Sequence, residues 1–586
     1  MKLIKALLGV AAMFVVVASA NSQTIAVNGI GSSALFLELG QAASQTSSIG
    51  AVCTWTASKG VAYATDTRTG VGYTEAGQFW VAWKPTGTDC STPTGSVYSY
   101  LQTDSTVGDR CIFASPACTL TVPASAAGTG GAGLLGTTDK LLPSAIQTLL
   151  NGSTFNVAGT DIRPEDAKFA TIRALTDCGV AVNGGAAGSA GSQYLGLGYA
   201  TGTGSHIGSA IKGSTVGLGG SFNVVDFNLT GHDPINTSNT VPSWNVYDVG
   251  LVPVVVIVNP TNVSGFGSTF VQNVTRGELA GYLDGTYGVV ADLVSNQAYS
   301  SSGIGAVATK VFLREPLSGT YNVMEYSIPN SVELQTSQDV GYVQSGIAAS
   351  FVDSTGTGVT ISSANNCNGT AVGQNPLAAV SSRANAGASY RYRAIGTGNE
   401  ISAVYATTDS LGYAFWGASN FAKATASNAR YLTVDGVDPL QQVWTDGLVP
   451  TSKNGLLGNI SFANVKNGSY PIWSKLRLAA TSNGEAGASA LANAAQNFVS
   501  PSQPDFVPIN QVFIVRSHFV PPYNASSAYN ADFPGSGTLD QPANGTAQCG
   551  STEAGGDVAG LIYSVQSDGD FCADAGSSYG NTGRRQ

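Results

Sequence analysis

Apolar and polar positions along the 586-residue chain alternate in short blocks separated by glycine, serine and threonine. Thr24–Asn28 predicts a strand, Gly29-Ile30-Gly31-Ser32-Ser33 a turn, and the apolar stretch from Ala34 to about Ala43 a helix. Residues 50–125 read as β structure, rich in Thr, Val, Tyr and Trp. Segment 126–136 predicts a glycine loop, Leu141–Leu150 a helix and Thr154–Gly159 a strand. Asp161-Ile162-Arg163-Pro164-Glu165-Asp166 then sets a cap, a proline and acids where a helix begins. A glycine-rich stretch covers 183–220. The most apolar run, Val249–Val258, is interrupted by Pro253, and its valines predict a buried strand. Strands and helices alternate from about 245 to 480, the pattern of an open α/β sheet. Residues 521–586 are polar and predict an irregular appendage.

The N-terminus adds a destination. Lys2 and Lys5 precede an apolar stretch, Ala6–Ala18, too short to span a bilayer. Ala18-Ser19-Ala20 fits a cleavage site, so residues 1–20 read as a signal peptide and the protein as periplasmic or secreted. No membrane span is expected in the mature chain. Eight cysteines, Cys53, Cys90, Cys111, Cys118, Cys178, Cys367, Cys549 and Cys572, suit disulfides in that setting. Connectivity is open; Cys111 with Cys118 and Cys549 with Cys572 are local candidates. No C-x-x-C pair occurs and only three histidines do, His206, His232 and His518, so no metal or cofactor is expected.

Charge removes other classes. The chain has 26 basic and 36 acidic residues, a formal charge of −10, which excludes a nucleic-acid binder. Hydrophobic residues make up 43%, enough for a large core and against general disorder.

Three segments carry candidate chemistry. In Val311-Phe312-Leu313-Arg314-Glu315-Pro316-Leu317-Ser318-Gly319-Thr320 an apolar strand ends in an arginine and a helix start follows. Free N–H groups at such a start, the hydroxyls of Ser318 and Thr320, the bare backbone of Gly319 and the Arg314 fork together suit a tetrahedral oxyanion. The turn with Ser32 and Ser33 offers the same kinds of donor. Phe155–Asp161 ends in Thr160 and Asp161. A carboxylate beside an anion makes sense if the ligand carries a proton that Asp161 accepts, as hydrogen phosphate does; fully ionised sulfate would set two acceptors face to face.

The order of Gly29–Ala34, Asn156–Asp161, the apolar run Gly250–Asn259, Val274–Thr286, Arg314 with Ser318-Gly319-Thr320, Ser410–Ala414 and Tyr470-Pro471-Ile472 resembles the phosphate-binding proteins of ABC transporters, a branch of the type II periplasmic binding proteins. In that family the patterns G-x-G-x-[ST]-F, D-F-x-x-S-D, L-T-G-x-x-L, R-x-x-x-S-G-T, G-x-I-G-Y and Y-P-I follow one another in the same order, and the segments here resemble them. The chain departs from them in places: Ala34 stands for the phenylalanine, and Pro316 stands two after the arginine where an acid is usual, with Glu315 as a substitute. The loop serine before the Asp161 segment has only Thr137 or Thr138 as candidates. Asp226–Asp233 is a second version of the aspartate motif with two extra residues, so Asp233 competes with Asp161.

The resemblance implies a two-lobed α/β fold, type II periplasmic-binding-protein-like, with β-rich insertions at about 46–136 and 176–245. The first lobe would begin over 21–250, the second would occupy 251–415, and 416–520 would return to the first. The implied ligand is phosphate or a similar oxyanion, held by Arg314, Ser318, Gly319, Thr320, Ser32, Ser33, Thr160, Asp161 and Asp233, with an ABC permease as partner and no catalytic residue. The alternative is an extracellular or envelope interaction protein built on that scaffold, motivated by the size of the insertions. Two enzyme-like motifs carry little. Gly128–Gly133 matches G-x-G-x-x-G without a βαβ context, and Gly576–Gly580 matches G-x-S-x-G with no histidine after it.

Overall fold

The computed structural model describes residues 23–45, 48–51, 53–66, 73–87, 89–113, 116–130, 140–162, 244–284, 287–293, 307–314, 318–328, 350–352, 358–360, 390–394, 396–422, 429–442, 447–497, 505–512, 514–515 and 560–561. Outside them lie the signal segment, the glycine-rich stretch 183–220, Asp233, Glu315, Pro316, Thr137, Thr138, the three histidines, the G-x-S-x-G match, and Cys178, Cys367, Cys549 and Cys572.

The architecture is a mixed α/β sheet, a hydrogen-bonded network of 18 strands among the described residues. β1 (Thr24–Ser32) runs parallel to β4 (Asp89–Thr103) on one side and β5 (Val157–Thr160) on the other. β2 (Cys53–Asp66) and β3 (Tyr73–Thr86) extend that sheet beyond β4 in antiparallel register. On the other side β5 pairs with β11 (Trp473–Thr481), and β11 pairs with β6 (Trp244–Val258).

β6 joins two sheets. Residues Trp244–Pro253 lie along β11, while Val254–Val258 lie along β9 (Ser410–Phe415), and the last three of them also along β10 (Arg430–Val434). Beyond β9 stand β7 (Lys310–Arg314) and β8 (Tyr390–Ala394), parallel to each other. Val249–Val258 is buried throughout, as its unbroken apolar run predicts. Pro253 is tolerated in mid-strand because it sits where β6 changes partners. It has no N–H to give, and its carbonyl accepts the Trp416 N–H at 2.9 Å.

The Gly29–Ser33 segment differs from its predicted turn. β1 continues through Ser32, a single 3-10 turn occupies Ser33–Leu35, and α1 (Phe36–Gln45) follows. The glycines serve close packing, and Gly31 a positive φ as well. The Tyr100 ring lies against Gly29 and Gly159, and its hydroxyl donates to the Ser32 carbonyl at 2.8 Å. Gly31 has φ +135°, and a Cβ there would overlap the Gly159 carbonyl oxygen.

The segment read as an insertion from about 46 is part of the first sheet: its strand β4 lies directly beside β1. Within the stretch read as β, Ser105–Phe113 forms a helix, α2, whose Gly108 packs on the β1 backbone at Ile30 and Gly31. In the predicted glycine loop, Ala127–Gly130 forms a strand that pairs with β2. Disulfides join Cys53 to Cys90, across the strands beside β3, and Cys111 to Cys118, one of the two local candidates. No helix among the described residues is long and apolar enough to cross a membrane.

Two buried carboxyl groups meet at the sheet junction. Glu38 of α1 faces Asp505, which precedes β12 (Val507–Pro508) and accepts the N–H of Ala418. Burial first, and then each other's proximity for Glu38, push both above the usual carboxylate range. A shared proton satisfies the pair, so stability is present at low pH and is lost as pH rises through the raised values. Glu38→Gln supplies the donor permanently. Thermal melts between about pH 5 and about pH 9 should show its advantage over the wild type growing with pH. Gly31→Ala should cost about 2–4 kcal/mol, from the positive φ and the overlap with Gly159, read by denaturant unfolding.

Candidate functional site

Parallel strands deliver their carboxyl ends to one place, where helices begin, and bare N–H groups collect there. In the first sheet β1 ends at Ser32, β4 leads through Asp104 into α2, and β5 leads into Asp161. In the second, β7 ends at Arg314, and two helices begin nearby, α4 (Gly319–Ser327) and α5 (Thr397–Ala406).

Arg314 is 1% exposed. Its Nη1 donates to the hydroxyls of Thr320 at 3.1 Å and Thr397 at 2.8 Å. Its backbone N–H donates to the Tyr413 hydroxyl at 3.2 Å. Two carboxylates flank the guanidinium: Glu400 at 3.9 Å from Nε, and Asp104 at 3.8 Å from Nη2. Glu400 lies on α5 and is held by accepting the N–H of Tyr413, on β9 of the second sheet, at 3.0 Å. Asp104 reaches across from the first sheet.

Asp161 is fully buried. Its Oδ1 accepts the Ser105 hydroxyl, and its Oδ2 has no hydrogen-bond partner among the described residues. Gly319 lies against this carboxyl so closely that a Cβ would overlap it. A first-sheet acid therefore touches the start of a second-sheet helix because residue 319 has no side chain. Burial pushes the Asp161 carboxyl from its usual 3.8 up to about 6; Ser105, a backbone N–H, Arg314 and Ser32 pull in the other direction.

Of the residues singled out in the sequence, Arg314, Ser318, Gly319, Thr320, Ser32 and Asp161 are buried around this junction. Ser33 joins them through a 3.3 Å contact between its hydroxyl and that of Thr397. Ser318 opens α4 and its carbonyl accepts Asn322 Nδ2–H at 2.8 Å. Thr160 lies to one side: its hydroxyl is 2.8 Å from the Ile162 carbonyl and 3.2 Å from Asp109 Oδ2.

Sequence reasoning missed Asp104, Ser105, Thr397 and Glu400. Ser105 donates to the Asp161 carboxyl, and Asp104 and Glu400 flank Arg314, while Thr137, Thr138 and Glu315 lie outside the described residues. A signal existed for each. Asp104-Ser105-Thr106-Val107-Gly108 follows an apolar strand, as Gly29–Ser33 does. Thr397-Gly398-Asn399-Glu400 has the T-x-x-E spacing of a helix start.

No protein-family model matches the sequence, and no curated protein does. Among solved structures the chain is similar to a putative phosphate ABC transporter substrate-binding protein with bound phosphate from Clostridium perfringens, at 14% identity and TM-score 0.24, over 45% of this chain and 72% of that one. It is similar to an ABC-type phosphate transport receptor from Vibrio cholerae at 11% identity and TM-score 0.21, over 41% of this chain and 60% of that one. It is also similar to a phosphate-binding protein from Stenotrophomonas maltophilia, at 12% identity and TM-score 0.28, over 73% of this chain and 87% of that one.

The Asp161 environment makes a stability prediction for the ligand-free protein. Its carboxyl holds a proton more tightly folded than unfolded, so stability falls as pH rises from about 4 through about 6. The full effect of moving from 3.8 to about 6 is about 3 kcal/mol. Asp161→Asn should raise unfolding stability by up to that amount at about pH 7.5 and change it little near pH 4, as denaturant titrations will read.

Proposed function

We propose that the protein is an exported solute-binding protein that captures phosphate or a similar tetrahedral oxyanion between its two sheets. The observation that carries this reading is the Asp161 Oδ2: a fully buried carboxylate oxygen without a partner among the described residues, beside a buried arginine and the start of α4. An acceptor in that position suits a ligand that is both anionic and a proton donor. Arg314 would supply the charge, Ser318, Gly319 and Thr320 the donors of one side, and Ser32, Ser33 and Asp161 the other. Asp161 would accept the O–H of hydrogen phosphate, and that hydrogen bond would set phosphate above sulfate.

The lobes of such a protein would be the two sheets, hinged where β6 passes from one to the other, and closing on the ligand would remove it from water and strengthen its charge-assisted bonds. The signal-like N-terminus and the two disulfides support a place outside the cytoplasm, periplasmic or secreted. Delivery to an ABC permease follows from the resemblance in the order of motifs. The role is binding, not turnover.

Calorimetry with phosphate and with sulfate on the mature chain tests the reading. Phosphate should give a saturable heat below about millimolar concentration, with sulfate far weaker. Arg314→Ala should weaken phosphate by roughly 100-fold or more, since it removes the charge from a desolvated site. Asp161→Asn should weaken phosphate by roughly tenfold and narrow the gap to sulfate. No phosphate heat at about millimolar ligand overturns the proposal.

A further inference from the structure

Asp104 has no place in the donor set described above, yet it lies at the centre of it. It follows the last residue of β4, opens α2, and is 9% exposed. Its Oδ1 is 3.8 Å from Nη2 of Arg314, which comes from the other sheet. This pair exists only while the two sheets are together, so its charge is present in the enclosed site.

We infer that Asp104 selects the bound oxyanion by charge, favouring the singly charged, more highly protonated form over a dianion; this deepens the anion-binding reading and rests on it. Facing the Arg314 guanidinium are Asp104 from the first sheet, Glu400 from α5, and Asp161 from the end of β5. Asp109 stands further along α2, at the Thr160 hydroxyl. Tyr100 and Tyr413 face the same region with neutral hydroxyls. Among the described residues Arg314 is thus faced by three carboxyl groups, two of them contributed across the junction. The repulsion between Asp104 and a ligand is linear in the ligand's charge. Neutralising Asp104 therefore multiplies the affinity for a dianion by the square of the factor it gives a monoanion.

Asp161 and Asp104 act on different properties of the ligand. Asp161 tests for an O–H to donate, and Asp104 penalises each unit of negative charge. Sulfate fails both tests. Phosphate passes both as the monoanion, and only the first as the dianion.

The experiment compares the mature wild type with Asp104→Asn by calorimetry. The titrants are inorganic phosphate at about pH 6, where the monoanion dominates, and at about pH 8, where the dianion does, with sulfate at about pH 8. Asp104→Asn should tighten phosphate by about threefold at the lower pH and about tenfold at the higher one, and should tighten sulfate by about tenfold. Asp161 titrates between these conditions, so the ratio is repeated in the Asp161→Asn background and should keep the same direction. Asp104→Ser keeps a helix-capping oxygen without the charge and should behave as Asp104→Asn does, with thermal melts confirming that both fold. A gain for sulfate no larger than that for phosphate at the lower pH, or a loss of affinity in both variants, overturns the charge selection, since Asp104 would then only cap α2. No phosphate heat from any of these proteins, wild type included, overturns the anion-binding reading beneath it.

Discussion

The Arg314 guanidinium is removed from water between two sheets, and an ion so placed must recover several kcal/mol of lost hydration from its neighbours. Each neighbour answers part of that demand. Thr320 and Thr397 accept its N–H groups, Glu400 and Asp104 supply opposite charge, and Tyr413 takes the backbone N–H. These groups come from strand ends and helix starts on both sheets, so the position of Arg314 ties the packing of one sheet to that of the other. The same field acts on Asp161, whose carboxyl is drawn down by the arginine less than burial lifts it.

The frame that allows this is a strand with two allegiances. β6 gives its first residues to β11 and its last to β9 and β10. Being buried from Val249 to Val258, it needs valine, leucine and isoleucine on both faces there, and at the change of partner it needs no N–H, which is where Pro253 sits. The Glu38–Asp505 carboxyl pair and the Trp416 N–H bond to Pro253 gather further chain passages at the same junction. The glycines of β1 and β5 let Tyr100 lie flat over both strands, which draws Ser32 and Asp161 together.

Much of this was legible in order along the chain. Val249–Val258 announced a buried strand through an apolar run that only two covered faces can use. Arg314 followed by Ser318-Gly319-Thr320 announced a strand end and a helix start rich in donors, and that is what β7 and α4 are. Asp161 was legible as an acid at the end of a small-residue strand. The glycine pattern at 29–33 suggests a turn because glycine frees φ, but Gly29 answers a neighbour's bulk and Gly31 answers both needs at once, and sequence does not say which of the two a glycine serves.

Local chemistry along the chain thus determined which segments end strands, which begin helices, and which carry hydroxyls, an arginine or an acid. Only the tertiary structure decided which of these ends share one space. Asp104, Ser105, Thr397 and Glu400 lie up to 296 residues from one another in sequence, and nothing local marks them as partners of Arg314. Their meeting depends on the pairing of β4 beside β1 and on β6 passing between sheets. Those long-range registers come from burying whole strands at once, not from any one side chain.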